Sequence, residues 1–116
     1  MQRIWFKKEM MQKLIEDKKF ATTRYKRLRE QQEYLCVYGS RFKAVSFGRI
    51  KINSCLPLTW RQVIRGDFNM EGFKSPAEMQ DYLVKEKLVR NTLNDQVWFH
   101  EFEFYRDIPS RLTSSS

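Results

Sequence analysis

The stretch Val97-Trp98-Phe99-His100-Glu101-Phe102-Glu103-Phe104-Tyr105 limits most what this chain can become. Aromatic and β-branched residues favour a pleated backbone, on which successive side chains point to opposite faces. Val97, Phe99, Glu101 and Glu103 fall on one face, and Trp98, His100, Phe102 and Phe104 on the other. Two faces this apolar cannot both stand in water, so the strand belongs in a covered or curled sheet. Trp98, Phe102 and Phe104 are expected to point into its interior.

The rest of the chain supplies partners for that strand. Gln2 to Phe6 reads as a short edge strand, and from Lys8 the spacing becomes helical. Met10 and Leu14, with Met11 and Ile15, share one face, opposite Glu9, Lys13, Glu16 and Asp17. This amphipathic helix is expected to end near Lys18. Phe20 to Thr23 returns to an extended or looped form, and the charged stretch Tyr25 to Glu33 reads as an irregular or helical connection. Tyr34 to Tyr38 and Phe42 to Ile52 read as neighbouring strands across a turn at Gly39-Ser40, with a bulge at Gly48 keeping both apolar subsets inward. Thr59-x-x-Gln62 has the form of a capping box, opening a short helix that Gly66 stops. Ser75-Pro76-Ala77-Glu78 opens another helix, running to about Lys87. The expected fold is α+β, a small mixed sheet or barrel with about three peripheral helices.

At 116 residues, the chain has the size of one domain. Residues 1–108 are assigned to it, and 109–116, ending in three serines, to a flexible tail. The 41% hydrophobic and 15% aromatic content is that of a soluble globular protein. No apolar run has the length of a membrane span and no secretory signal opens the chain, so no membrane association and a cytoplasmic location are expected. Cys36 and Cys55 lack the spacing of a zinc or redox site and read as small buried residues. His100, the one histidine, has no cluster of carboxylates beside it, and neither a metal nor a cofactor is expected. As a lone histidine in an aromatic strand, it reads as a satisfied structural residue.

The net charge of +8, with a pI of 9.7, makes a polyanion a natural partner. Lys18, Lys19, Arg24, Lys26, Arg27 and Arg29 crowd one stretch, followed by Arg41, Lys43, Arg49 and Lys51. Of these, Lys18, Arg24, Lys26, Arg27, Arg29, Arg49 and Lys51 are the candidates for contact with nucleic-acid phosphates.

Two separated signatures suggest a site: Lys19-Phe20-Ala21-Thr22-Thr23-Arg24, after the first helix, and Glu71-Gly72-Phe73-Lys74-Ser75, before the last. A lysine, threonine and arginine set close together can bind or attack a polar ligand, and a glutamate at a glycine turn can supply the opposite charge across a cleft. A plainer reading makes Lys19 and Arg24 a solvated basic face at a helix end, with Glu71 a surface partner for some lysine.

These segments, with Phe47-Gly48-Arg49-Ile50-Lys51-Ile52 and Val97-Trp98-Phe99-His100-Glu101-Phe102, resemble the ASCH domain of the PUA-like superfamily, over roughly Ile4 to Tyr105. The resemblance implies a β-barrel of about five to six strands with flanking helices, and a cleft where Lys-x-x-Thr-x-Arg meets Glu-Gly-Phe. Asp17, Phe20 and Arg29–Glu33 stand where many members carry a glycine, a second threonine and a Gly-Asp turn, so the cleft mouth is expected to differ. Some relatives are amidohydrolases that remove the acetyl group of N4-acetylcytidine, and their catalytic lysine, threonine and glutamate map onto Lys19, Thr22 and Glu71.

The primary expectation is recognition of RNA or a nucleotide in a cleft lined by Lys19, Thr22, Arg24 and Glu71, with Tyr25, Trp60 or Phe73 available to stack on a base. The alternative is deacylation of a pyrimidine nucleoside, with Thr22 as nucleophile, Lys19 as base and Glu71 as proton donor. A protein partner docking on the basic face is a third reading.

Overall fold

The structure is a computed structural model that describes residues 1–106; the tail expected over 109–116 lies outside the described residues. The elements run β1 (Arg3–Trp5), α1 (Lys8–Ile15), β2 (Ala21–Arg24), β3 (Glu33–Ser40), β4 (Lys43–Thr59), α2 (Trp60–Gly66), α3 (Pro76–Lys85) and β5 (Gln96–Arg106). The five strands form one curled half-barrel sheet in the order β1-β3-β4-β5-β2. β1 runs parallel to β3, with Ile4 opposite Cys36, and the other three pairings are antiparallel. The fold is α+β, with three helices against the sheet.

Local signals fix the helices. Met10, Met11 and Leu14 form the buried stripe of α1. The helix stops one turn before Lys18 because Asp17 adopts a left-handed φ of 57°, the cap geometry that ends helices. The Thr59 hydroxyl accepts the Gln62 N–H while the Gln62 side chain accepts the Thr59 N–H, so the box expected from sequence opens α2. Ser75 caps α3 through the Glu78 N–H, with Pro76 in the first turn.

β4 is longer than expected: it begins at Lys43 and continues past Ile52 to Thr59. Two irregularities disguise it. Gly48 lies opposite Cys36 and Ser46 opposite Val37, so Phe47 is the extra residue of a bulge beside Gly48. A Cβ on Gly48 would stand 2.6 Å from the Tyr105 carbonyl oxygen and 2.7 Å from the Phe104 ring, so the close approach of β5 requires glycine there. Asn53 is the second extra residue, between Ile52 opposite Phe102 and Ser54 opposite Glu101.

Burial along β5 corrects the reading of the aromatic strand. The buried side chains of β5 are Val97, Phe99, His100 and Phe102, so both faces of the strand are covered around Phe99 and His100. Phe102 and the partly buried Phe104 pack with the core as expected. Trp98 does not: it is half-buried, with the Arg27 guanidinium 5.0 Å from its ring centroid. His100 is fully buried and satisfied at both nitrogens. Nε2 accepts the Leu28 N–H at 2.9 Å, and Nδ1 lies 3.1 Å from the Thr22 carbonyl oxygen. Accepting at Nε2 leaves the proton on Nδ1, which donates to Thr22, so the ring is neutral. Burial accordingly holds its pKa below the usual histidine value. Among the described residues, no helix is long and apolar enough to cross a membrane.

Candidate functional site

Helix α1, strand β2 and the loop between α2 and α3 meet at one end of the sheet, and backbone hydrogen bonds lock them there. The Met70 carbonyl accepts the N–H groups of both Phe20 and Ala21, at 2.7 and 3.1 Å. This sets Glu71 across from Lys19. Gly72 follows with φ +93°, and a Cβ there would stand 2.9 Å from Lys13 Cδ and 3.1 Å from the Lys18 carbonyl oxygen. Only glycine fits both that backbone and that space. Lys13 closes the turn from the helix side: its Nζ donates to the Gly72 carbonyl at 2.8 Å and lies 3.9 Å from the Phe73 ring centroid.

Lys19 Nζ donates to Glu71 Oε1 at 2.6 Å, and both side chains are buried. Neither is a solvated surface charge, which removes the plainer reading of both. Thr23 Oγ1 donates to Glu71 Oε2, so each carboxylate oxygen has a partner. Burial pushes the Lys19 ammonium below its ordinary range, with the attraction of Glu71 acting against that shift. Thr22 is also buried, and its Oγ1 accepts from Arg24 Nε at 3.1 Å. Arg24 is anchored in turn, with Nη2 donating to the Trp5 carbonyl at 2.8 Å and its guanidinium 5.0 Å from the Phe6 ring centroid. Burial lowers the Arg24 pKa too, and arginine remains cationic throughout the physiological range.

These groups line a cleft of about 970 Å³. Lys19, Thr22, Arg24 and Glu71, singled out from the sequence as one set, all line it. The cations Lys7, Lys8, Lys26, Lys87 and Arg90 line it as well, and Glu71 is the one acid among the described lining residues. The seven basic candidates therefore divide. Arg24 and Lys26 belong to the cleft, while Arg27 and Arg29 line a separate shallow pocket with Leu28 and Glu30. Lys18 pairs with Glu16 at 3.5 Å. Arg49 pairs with Glu33 at 2.8 Å, and neither it nor Lys51 is among the described lining residues of either pocket.

The aromatic candidates also rearrange. Trp60 and Phe73 are buried in the core cluster. The Tyr25 hydroxyl is held by three partners: it accepts from Trp60 Nε1 at 3.0 Å and Arg90 N at 2.8 Å, and donates to Asp95 Oδ2 at 2.7 Å. Arg90 covers its ring, 4.5 Å from the centroid. Trp5, 39% exposed, and the half-buried Tyr38 and Tyr25 are the described lining aromatics with accessible surface. The sequence reading passed over Thr23, Lys13, Trp5 and Tyr82 as site residues. Thr23 was legible in principle, being two positions from Ala21 on the same strand face, but its partner Glu71 is 48 residues away.

An open, curled five-stranded sheet with this helix placement is the fold of solved ASCH-domain structures. A DUF984 protein from Enterococcus faecalis superposes with a TM-score of 0.69 at 14% identity, over 94% of this chain and 83% of that one. The ASCH protein from Zymomonas mobilis superposes with a TM-score of 0.61 at 13% identity, over 96% of this chain and 75% of that one. At such identities the likeness is one of fold. No protein-family model matches the chain, and no curated protein sequence matches it significantly.

Proposed function

We propose that the cleft binds RNA or a nucleotide. The observation that carries this reading is its charge pattern: Lys7, Lys8, Lys19, Arg24, Lys26, Lys87 and Arg90 line the cleft against a single carboxylate, Glu71. That carboxylate is already engaged by Lys19 and Thr23, so the field a ligand meets is positive. Exposed lysines at the mouth suit phosphate, which they bind with release of counterions. Trp5 and Tyr38 suit the face of a base. The test is binding of a single-stranded RNA oligonucleotide across a salt series. Affinity is expected to fall linearly on logarithmic axes, and salt-insensitive or absent binding overturns the reading.

A second reading, amide hydrolysis on an acylated pyrimidine nucleoside, is favoured by the surroundings of Thr22 and Lys19. Burial makes the Lys19 amine easier to deprotonate, as a base requires. The Arg24 Nε–H donates to the Thr22 oxygen, leaving the Thr22 proton free to be taken and stabilising the negative charge that develops. In this chemistry the threonine oxygen bonds to the acyl carbon, the amine leaves with a proton, and water then hydrolyses the ester. Thr23 serves to hold Glu71. Acetate release from N4-acetylcytidine by the parent and by Thr23→Val, but not by Thr22→Ala, is the expected pattern. No release by the parent overturns deacetylation of this nucleoside.

A further inference from the structure

Buried tyrosine hydroxyls in this protein have partners, with one exception. Tyr34 accepts the Arg29 N–H at 3.0 Å, and Tyr25 has the three partners given above. The Tyr82 hydroxyl is buried and has no hydrogen-bond partner among the described residues. The residue is 8% exposed and lines the cleft. A buried hydroxyl without a partner is destabilising, and native proteins keep such groups rarely and usually for a reason.

We propose that the Tyr82 hydroxyl is a ligand-recognition group, donating a hydrogen bond to an acceptor atom on the edge of a nucleobase that enters the cleft. This inference rests on the nucleotide-binding reading and adds an orientation to it. Tyr82 stands on α3 between Met79 and Leu83, which also line the cleft, and its ring centroid is 5.4 Å from that of Phe73. Met79, Leu83 and Phe73 make that wall apolar, and the buried cations are engaged, Lys19 by Glu71 and Arg24 by Thr22 and the Trp5 carbonyl, so a phosphate dianion there would lose its hydration without a free set of cations. Lys7, Lys8, Lys26, Lys87 and Arg90 are exposed at the mouth. The base therefore points inward and the phosphate outward. Burial, with the acids Glu86 and Glu9 adding to it, keeps the hydroxyl pKa well above the ordinary tyrosine value. The group remains an O–H donor across the physiological range. Few precisely placed polar atoms in an apolar pocket are what confer specificity on a small-molecule site, and losing one such bond rejects ligands that depend on it.

Tyr82→Phe removes the oxygen alone and tests the assignment with two readouts. Without ligand, the melting temperature is expected to stay the same or rise, because an unsatisfied buried group has gone. Among AMP, CMP, GMP and UMP, the monophosphate that binds the parent most tightly is expected to bind Tyr82→Phe about tenfold more weakly. Ribose 5-phosphate, which has the sugar and phosphate but no base, is expected to bind both proteins equally. A fall in melting temperature would mean the hydroxyl has a structural role, and overturns the proposal. So does unchanged nucleotide affinity, or an equal loss for ribose 5-phosphate. A parent that binds none of the four monophosphates overturns the nucleotide reading itself, and this assignment falls with it. A parent that binds them while Tyr82→Phe is unaffected overturns the Tyr82 assignment alone.

Discussion

Lys19 and Glu71 lie 52 positions apart in the chain and 2.6 Å apart in the fold, both almost wholly removed from solvent. Taking two charges out of water is costly, and their attraction offsets that cost only while both are present. Lys19→Met or Glu71→Leu alone strands a buried charge, at an expected cost of about 3–5 kcal/mol. The double variant Lys19→Met/Glu71→Leu has neither charge, and is expected to recover to within about 1 kcal/mol of the parent while losing ligand binding. Urea unfolding of the four proteins gives the coupling energy directly. Additive losses would show that the two side chains act independently.

The turn that presents Glu71 depends on Gly72. Alanine there must adopt the left-handed backbone and displace Lys13 or the Lys18 carbonyl, an expected loss of about 1–3 kcal/mol. Glu71 moves with it, so ligand affinity should fall too. Gly66 is the control: a Cβ there meets nothing within 4 Å, and Gly66→Ala in helix α2 is expected to be neutral or stabilising by about 1 kcal/mol. Thermal melts of the two variants check the contrast, and equal effects would mean the Gly72 geometry is dispensable.

What was legible in the sequence was whatever neighbouring residues decide. The Thr59 and Ser75 caps, the buried stripe of α1 and the bulge beside Gly48 are set by side chains a few positions apart, and each was read close to where it lies. The second half of β4 was not. Asn53 breaks its alternation and Pro57 cannot donate to a ladder, so the segment does not look like a strand until β5 lies against it. β5 buries residues of both parities around Phe99 and His100 while Trp98 is only half-buried, a division that its alternation does not show. In the site, the two signatures were visible as residue types, but their meeting was not. It depends on the Met70 carbonyl joining two N–H groups on another segment, a contact with no sequence pattern.

His100 gives the protein a pH dependence that can be assigned to one residue, since it is the only histidine in the chain. Its folded pKa lies below the usual 6.5 because burial disfavours the charged ring. As pH falls below 6.5 toward the folded value, the unfolded chain gains a proton that the native state resists. Stability present above pH 6.5 is therefore lost on acidification through this window. The urea midpoint is expected to decline from pH 7 to pH 5, before most carboxylates titrate. His100→Gln keeps one acceptor and one donor but no titration, and should flatten the decline. An unchanged slope in that variant would assign the effect elsewhere.

The division of the basic residues makes the nucleic-acid reading selective. If the cleft is the binding surface, neutralising Lys8, Lys26, Lys87 or Arg90 removes a phosphate contact there. Each substitution by glutamine is expected to weaken single-stranded RNA binding at moderate salt and to reduce the salt slope by about 0.7. Arg49 is already engaged, with Glu33 at 2.8 Å and the Tyr105 ring 5.2 Å away. Arg49→Gln and Lys51→Gln are therefore expected to leave both affinity and slope unchanged, although their charge loss is identical. Arg27→Gln and Arg29→Gln, at the separate pocket, should behave like the second group. A filter-binding series over the eight variants decides the matter. Equal losses in both groups would mean that RNA responds to net charge alone, and that the cleft is not where it binds.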